Sequence, residues 1–230
     1  MSIAENIRRV CGEIATAAVA AGRRPEEITL VGASKMNDAA ACREAIAAGI
    51  DALGENRVQE LLKKYGEDAY AGAPLHFIGH LQRNKVRQIV GKVDLIQSVG
   101  SLELLAEIQR CAEKLGICQD ILLEVNVGGE ESKSGFAPEG VYDAAKAALQ
   151  FPNVRVRGLM TIPPVEVEPG SSTPYFEKVQ ALYVDINSKL FHNELECLSM
   201  GMSGDFAQAI RAGATMVRVG TAIFGARHYT

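Results

Sequence analysis

Eight short apolar runs, spread over most of the chain, constrain the fold more than any other feature of this sequence. They lie at Ile28–Ser34, Ala52–Gly54, Leu75–Gly79, Asp94–Val99, Ile121–Val127, Val156–Met160, Leu195–Ser199 and Thr215–Gly220. Segments with helical spacing of apolar residues lie between them. Eight strands that alternate with helices predict a parallel sheet, and 230 residues suit a single closed (β/α)8 barrel of the α/β class.

The helical segments carry recognisable start signals. Apolar residues at helical spacing predict an amphipathic helix over residues 1–22, which we expect to pack on the barrel. The expected start residues of later helices are Asp38, Asn56 (with Gln59 as a variant capping box), Ser101, Pro138 and Ser203.

An open, doubly wound sheet is the structural alternative. Such a sheet normally has a glycine-rich first turn of the type GxGxxG, whereas the first strand here continues into VGASKMN. The sequence contains no obvious domain boundary, so we expect one domain over residues 1–230. Its one irregular stretch, TIPPVEVEPGSSTP (Thr161–Pro174), is expected to form an exposed loop over the barrel mouth.

Composition excludes several classes of protein. A net charge of −4 gives no overall electrostatic case for nucleic-acid binding. The five cysteines are odd in number and form no CxxC, which argues against a disulfide framework. No run approaches the ~20 apolar residues that span a bilayer, and the charged first helix does not resemble a signal peptide. We therefore expect a cytoplasmic protein.

A lysine at the end of the first strand is the main candidate for chemistry. Barrel active sites lie at the C-terminal ends of the strands, where Ser34 and Lys35 follow the first strand. A partly desolvated lysine has a lowered pKa, and its neutral amine can form a Schiff base with an aldehyde or ketone. In the alternative interpretation, Lys35 extends to the rim of the barrel and pairs with Glu55. The sequence leaves both open.

The segments after the last two strands are typical of a phosphate site. SMGMSGD and RVGTAIFG place Ser199, Gly201, Gly220 and Thr221 where barrels commonly bind phosphate. Glycine lets an anion approach the backbone N–H groups closely, and a helix start near Ser203 favours negative charge. A carbonyl compound that carries a phosphate would satisfy both ends of the site. Pyridoxal phosphate and the sugar phosphate of a class I aldolase are two such ligands.

Arg218 lies inside the apolar run TMVRVGTAIFG, where a permanent cation needs a partner. If it shares a face with Met216 it points into the barrel and can hold an anion or a ring nitrogen. On the other face it would bridge to a surrounding helix. Alternation alone leaves both orientations open.

The two histidines of HFIGH are weaker candidates. His76 and His80 are four residues apart, but the segment lacks the glutamate of HExxH and lies on a strand-to-loop transition. We expect no metal site there, and one of the two histidines is expected to be packed.

Taken in order, several blocks of the sequence resemble the signature blocks of the pyridoxal phosphate homeostasis protein family. They are VGASK, LGENRVQE, LHFIGHLQRNK, EVNVGGEESKSGF, RGLM, LSMGMSGDFAQAI and RVGTAIFGAR. These proteins are single-domain relatives of the barrel of fold-type III alanine racemases. The resemblance extends from about residue 28 to residue 227.

The resemblance implies a role for each matching residue. Lys35 corresponds to the lysine that forms the internal aldimine with pyridoxal phosphate, and Arg218 to the arginine that faces the pyridine nitrogen. Asn56 corresponds to a pocket asparagine, although helix capping explains it equally well. The positions that match the phosphate-binding loops are Ser199, Met200, Gly201, Gly220 and Thr221.

The resemblance also implies a function: binding and handling of the cofactor in vitamin B6 balance, without an established reaction. The chain ends soon after the last barrel segment, so no second domain is expected to supply the opposing catalytic base of the racemases. Expected partners are pyridoxal phosphate and apo forms of enzymes that use it, with the protein a monomer or weak dimer. The alternatives are a pyridoxal-phosphate-dependent racemase or decarboxylase, and a class I aldolase-type Schiff-base enzyme.

Four positions depart from the commoner family pattern. Leu53 replaces an aromatic residue and Leu75 a tryptophan, while Gln97 and Gly100 replace the histidine and aspartate of HSVDS. We expect these residues to touch the pocket wall and a loop, and to leave the lysine and phosphate sites intact.

Overall fold

The structure is a computed structural model that describes residues 1–130, 133–164, 168 and 170–225. Eight parallel strands follow one another around a closed barrel, and the last pairs with the first. The strands are β1 Thr29–Ala33, β2 Ala52–Glu55, β3 Leu75–Phe77, β4 Leu95–Val99, β5 Gln119–Val125, β6 Val154–Thr161, β7 Cys197–Ser199 and β8 Met216–Val219. The predicted barrel is confirmed, and every strand begins and ends within two residues of its expected position.

Helices surround the barrel. They are α1 Ile3–Ala20, α2 Ala39–Ala47, α3 Val58–Gly66, α4 Val86–Ile89, α5 Leu102–Leu115, α6 Val141–Ala148, α7 Thr173–Leu190, α8 Phe206–Arg211 and α9 Thr221–Phe224. The predicted first helix packs against α8, α9 and α2 and buries Ile7, Val10 and Ile14. In the part of the chain that the structure describes, no helix has both the length and the apolar character needed to span a membrane.

Two of the expected helix caps form, and one does not. The side chains of Asp38 and Ser101 each accept a hydrogen bond from a backbone N–H of the first turn, at 2.8 and 3.2 Å. The cap expected at Asn56 is wrong. The chain stays extended through Arg57, so that α3 begins at Val58 and Asn56 lies one residue too early to cap it.

Two other helix starts are displaced toward the C-terminus. Pro138 lies within a tight turn in which the N–H groups of Gly140 and Val141 both donate to the carbonyl of Ala137, so α6 begins only at Val141. A second turn, closed by a 3.1 Å hydrogen bond from the N–H of Asp205 to the carbonyl of Met202, delays α8. The expectation that Ser203 starts the helix is therefore wrong, because α8 begins at Phe206 with Asp205 in the cap position, within the expected segment DFAQAIRAG.

Apolar side chains form two layers, one inside the barrel and one between the sheet and the helices. The interior layer contains Val31, Ala52, Leu95, Leu122, Met160 and Met216. Because side chains alternate along a strand, the presence of Met216 in this layer places Arg218 inside the barrel. Leu53 and Leu75 belong to the outer layer, so the expectation that they touch the pocket wall is wrong.

The loop within the irregular stretch Thr161–Pro174 is shorter than expected. Thr161 ends β6, and Thr173 and Pro174 begin α7. Between them, Pro163 is buried and its carbonyl accepts a 3.3 Å hydrogen bond from Nζ of Lys133. Residues 165–167 and 169, on which the expected loop over the mouth depends, lie outside the described residues.

Candidate functional site

Lys35 and the turn after β8 lie side by side at the C-terminal end of the barrel. Strands β1 and β8 are neighbours, and their register pairs Gly32 with Val219. A Cβ added to Gly220 would lie 3.4 Å from the carbonyl oxygen of Ala33, two residues before Lys35. Lys35 itself is half-buried. The structure thus brings the predicted lysine next to one of the predicted phosphate loops.

The turns after β7 and β8 are joined by hydrogen bonds. The N–H of Arg218 donates to the carbonyl of Gly201 at 3.0 Å, and the N–H of Gly220 donates to Oγ of Ser203 at 3.3 Å. Gly201 has φ +93°, and a Cβ there would lie 2.6 Å from Cβ of Ala209, so only glycine fits. Gly201 and Gly220 therefore lie on adjoining turns. Ser203 was a cap candidate in the sequence, but its contact with Gly220 was not predicted.

Arg218 lies on the floor of this site. Its side chain is 4% exposed, Nη1 donates to Oγ of Ser199 at 2.5 Å, and Nη2 donates to the carbonyl of Thr161 at 2.9 Å. Burial lowers the pKa of Arg218 to about 10, opposed by the negative charge of Glu124, so the guanidinium group is cationic at neutral pH. The open question of its orientation is resolved in favour of the barrel interior.

A chain of buried polar groups continues from Arg218 across the barrel. The hydroxyl of Ser199 donates to Oε1 of Gln97 at 2.7 Å, and Nε2 of Gln97 lies 3.0 Å from Nδ1 of His76. The Ser199 hydroxyl therefore accepts from Arg218 and donates to Gln97, and it orients the arginine from within the barrel. Sequence reasoning noted Gln97 only as a departure from the family, although a polar residue inside LIQSV was the available signal.

His76 predicts a measurable pH dependence of stability. Burial lowers its pKa from 6.5 to about 4, so the unfolded chain binds a proton in a pH range where the folded protein does not. The free energy of unfolding is expected to fall by about 1.4 kcal/mol per pH unit from this residue as the pH drops from 6.5 to 4. Urea titrations of the protein and of His76→Gln at several pH values measure the difference. Equal pH slopes for the two proteins would contradict the assignment.

Glu124 is a buried carboxylate that the sequence analysis did not select. It lies on β5 two residues after Leu122 of the interior layer, is 8% exposed, and its Oε2 has no hydrogen-bond partner in the described structure. Burial raises the pKa of Glu124 to about 6, although the positive charge of Arg218 opposes this shift. Its signal in the sequence was a charged residue within ILLEVNV.

Asn56 reaches the same end of the barrel after β2. The backbone of Gly79 packs so closely on Asn56 that a Cβ at position 79 would lie 2.2 Å from the Asn56 carbonyl oxygen. Oδ1 of Asn56 is buried and has no hydrogen-bond partner among the described residues. Asn56 and Glu124 thus each hold an unpaired acceptor atom that a ligand can satisfy.

The other candidate residues from the sequence do not lie together at this site. Glu55 faces the helix layer and pairs with Lys64 at 2.5 Å, whereas the alternative pairing of Lys35 with Glu55 stays a prediction. His76 points into the barrel, whereas His80 is exposed and its Nδ1 lies 2.6 Å from Oγ of Ser134. Within the described ranges, no group of three or more His, Cys, Asp or Glu side chains is arranged to hold a metal ion.

Two cavities lie at opposite ends of the barrel. One of about 670 Å³ lies at the opposite end of the barrel, by the start of β6, and is lined by Arg155, Arg157 and Phe191. The other, of about 450 Å³, lies at the C-terminal end and is lined by residues that include Ser98, Gly100 and Gly135. The second adjoins the candidate site, because a Cβ added to its lining residue Gly100 would lie 3.4 Å from Oε2 of Glu124.

Comparisons with known proteins agree on one family. Residues 23–228 match the family described as alanine racemase, N-terminal domain. The pyridoxal phosphate homeostasis protein of Aquifex aeolicus (strain VF5) is 46% identical over 229 residues, which cover 100% of both chains.

Solved structures give the same result. PipY of Synechococcus elongatus PCC7942, whose structure was determined with PLP bound, has a TM-score of 0.82 and 33% identity over 97% of this chain and 100% of that chain. Alanine racemase of Clostridium difficile 630 has a TM-score of 0.71 at 18% identity, which is evidence for the fold alone. It covers 98% of this chain and 57% of the racemase.

Proposed function

This chain belongs to the pyridoxal phosphate homeostasis protein family, and from that premise we propose that it holds pyridoxal phosphate as a Schiff base on Lys35 and releases it without catalytic turnover. The observation that carries the proposal is the position of Lys35 beside Gly220, with the cationic Arg218 on the floor below. An amine, a cation and glycine-containing turns are the groups that an aldehyde carrying a phosphate requires.

The phosphate is assigned to the turns after β7 and β8. Gly201 and Gly220 present backbone there without Cβ atoms, and the hydrogen bond from Gly220 to Ser203 fixes one turn against the other. Thr221 is exposed at the start of α9, where its hydroxyl can donate to an anion. Met200 is buried between these turns and contributes packing. Ser199 contributes by holding Arg218.

The unpaired acceptors on the other side of the site also fit this cofactor. Pyridoxal phosphate carries a phenolic hydroxyl group and, when bound, supplies a reactive aldehyde and an electron-withdrawing ring. Oδ1 of Asn56 and Oε2 of Glu124 are acceptors without partners in the described structure. We assign both to the ligand-binding surface, with Asn56 in the pocket role that its family position implies.

Arg218 supports a binding role over catalysis. Its cationic guanidinium group, placed against a ring nitrogen, disfavours protonation of that nitrogen. An unprotonated ring withdraws electrons less strongly, so it stabilises a carbanion less well. The hydrogen bonds to Ser199 and Thr161 keep Arg218 in place, because moving it would leave buried acceptors unpaired.

The proposal is tested by spectroscopy and by transfer. Purified protein loaded with pyridoxal phosphate and freed of unbound ligand is expected to retain one equivalent and a visible absorbance band, and to lose both when it is re-isolated after incubation with an apo-enzyme acceptor. Amino acids incubated with the loaded protein in heavy water are expected to keep their α-protons. A protein that retains no pyridoxal phosphate after unbound ligand is removed would overturn the proposal.

Glu124 favours a second candidate function, an amino-acid racemase or decarboxylase. A buried carboxyl group whose pKa is raised to about 6 can accept and return a proton near neutral pH. On this reading, α-proton exchange in heavy water would be rapid and would be lost in both Lys35→Ala and Glu124→Gln. Absence of both α-proton exchange and carbon dioxide release from amino acids in the unaltered protein excludes this candidate and leaves the binding role. No feature of the described site favours the class I aldolase alternative.

A further inference from the structure

A cluster of buried and partly buried polar side chains lies directly beneath the turn that carries Lys35. It consists of Ser34, Glu55, Glu60, Lys64 and Tyr70, and we call it the turn-support cluster. Glu55 is fully buried and Lys64 nearly so, although both side chains carry an ionisable group. Charged residues are almost never buried to this extent unless they are paired.

One half of the cluster holds the residue before Lys35. Oε1 of Glu55 accepts hydrogen bonds from Oγ of Ser34 at 2.6 Å and from the hydroxyl of Tyr70 at 3.0 Å. Nζ of Lys64 donates to the same carboxylate oxygen at 2.5 Å and to the backbone carbonyl of Ser34 at 2.9 Å. Both the side chain and the backbone of Ser34 are therefore fixed.

The other half holds the residue after Lys35. Oε1 of Glu60 accepts from the backbone N–H of Met36 at 2.5 Å and from Nζ of Lys64 at 2.9 Å. Met36 has φ +63°, a left-handed conformation that is unfavourable for a residue with a long side chain. Such strained residues persist only where the surrounding structure holds them, and they concentrate at functional sites.

Resting on the Schiff-base role of Lys35 proposed above, we propose that Glu60, Lys64 and Glu55 are positioning residues that set the direction of the Lys35 side chain and thereby the affinity for pyridoxal phosphate. Lys64 is the common element, because it joins the two carboxylates that hold Ser34 and Met36. The flanking residues of the reactive lysine are thus both connected to one ion-paired group.

The ion pairing also prevents Lys64 itself from acting as a nucleophile. Burial alone would lower the pKa of Lys64, but the charge of Glu55 and the hydrogen bonds from Glu55 and Glu60 outweigh it and raise this pKa. Lys64 is therefore an ammonium group at neutral pH, which cannot attack an aldehyde. The cluster keeps a second buried lysine close to the site from competing with Lys35.

Stability alone gives a weak reason for such a cluster. Replacement of a buried ion pair by apolar residues of similar volume is often neutral or stabilising, because desolvation offsets the attraction between the charges. What apolar residues would not supply here is an acceptor for the N–H of Met36 and a donor to the carbonyl of Ser34. These two contacts define the turn.

The first test uses Glu60, because its removal leaves Lys64 paired with Glu55. Glu60→Ala is expected to raise the Kd for pyridoxal phosphate about tenfold and to shift the visible absorbance band of the bound cofactor. Glu60→Gln, whose amide oxygen can still accept from Met36, is expected to restore both to within about twofold of the original. Gln59→Ala, on the exposed side of the same helix, serves as the matched control.

A second variant distinguishes an effect on binding from a loss of folding. Lys64→Met together with Glu55→Gln removes the buried pair and leaves only the partly exposed Glu60 without its cation, and Lys63→Met is the exposed control on α3. The double variant is expected to unfold cooperatively but to bind pyridoxal phosphate about tenfold more weakly, with faster release.

The outcomes separate the two proposals. If the unaltered protein forms no adduct with pyridoxal phosphate, the Schiff-base role of Lys35 and the positioning role of the cluster are both overturned. If the unaltered protein forms the adduct, the two variants decide the positioning role. That role alone is overturned if Glu60→Ala and the double variant bind pyridoxal phosphate with unchanged affinity and an unchanged absorbance band. A lowered melting temperature with unchanged binding would identify the turn-support cluster as purely structural and would also overturn that role.

Discussion

Replacement of Lys35 by alanine is expected to raise the Kd for pyridoxal phosphate about a hundredfold, because the reversible covalent bond is lost and only the phosphate and ring contacts remain. The visible absorbance of the loaded protein should disappear at the same time. Lys35 is half-buried at the end of β1, so its removal should change the free energy of unfolding by no more than about 0.5 kcal/mol. Equilibrium dialysis, visible spectra and urea titration measure the three quantities.

The control for this prediction is Lys63→Ala. Lys63 is exposed on α3, within the same pair of adjacent lysines as the buried Lys64. Its substitution is expected to leave affinity and absorbance unchanged. A Lys35→Ala protein that still turns yellow and keeps the cofactor after dialysis would show that another residue forms the bond.

Arg218→Met is expected to lower the free energy of unfolding by about 3 kcal/mol. The change leaves the hydroxyl of Ser199 without its buried donor and the carbonyl of Thr161 without the guanidinium donor. It also removes the positive charge that favours the ionised form of Glu124. Urea or thermal unfolding of the protein without cofactor measures this effect separately from binding.

Two variants delimit the role of Arg218. Arg211→Met replaces an exposed arginine at the end of α8 and is expected to stay within about 0.5 kcal/mol of the original. Arg218→Lys keeps the charge but not the planar fork that reaches two acceptors, so we expect an intermediate loss. If Arg218→Met loses less than about 1 kcal/mol, the buried network is not a stabilising feature of the barrel.

The strands were predictable because each carries a continuous apolar run, which is what burial on both faces of a parallel sheet requires. The same property explains why the orientation of Arg218 was not predictable. When both faces of β8 are apolar, alternation does not distinguish the barrel interior from the helix layer. The observation that decides it is the position of Met216 in the interior layer, which depends on closure of all eight strands.

The sequence did not predict the roles of residues whose contacts are distant along the chain. Lys64 stands in a pair of lysines on an amphipathic helix, a pattern typical of a solvent-exposed face, yet it is buried against Glu55 and Ser34. Glu124 is one charged residue within an apolar strand, and its unpaired oxygen becomes visible only beside Arg218 and Gly100. Local signals gave the candidate lysine and the glycines but not the groups that hold them.

The error at Asn56 has a related cause. Its spacing to Gln59 fits a capping box, but the packing of Gly79 on its backbone continues the extended chain past Asn56. Local hydrogen bonding and tertiary packing compete at this position, and packing prevails. The side-chain oxygen of Asn56 is then buried without a hydrogen-bond partner among the described residues.

The attachment site of pyridoxal phosphate tests the central claim most directly. The protein would be mixed with one equivalent of the cofactor, reduced with borohydride, digested and analysed by peptide mass spectrometry. We predict that the added mass is found on the peptide containing Lys35, and that Lys63 and Lys64 are unmodified. Modification of a different lysine, or no modification at all, would contradict the account.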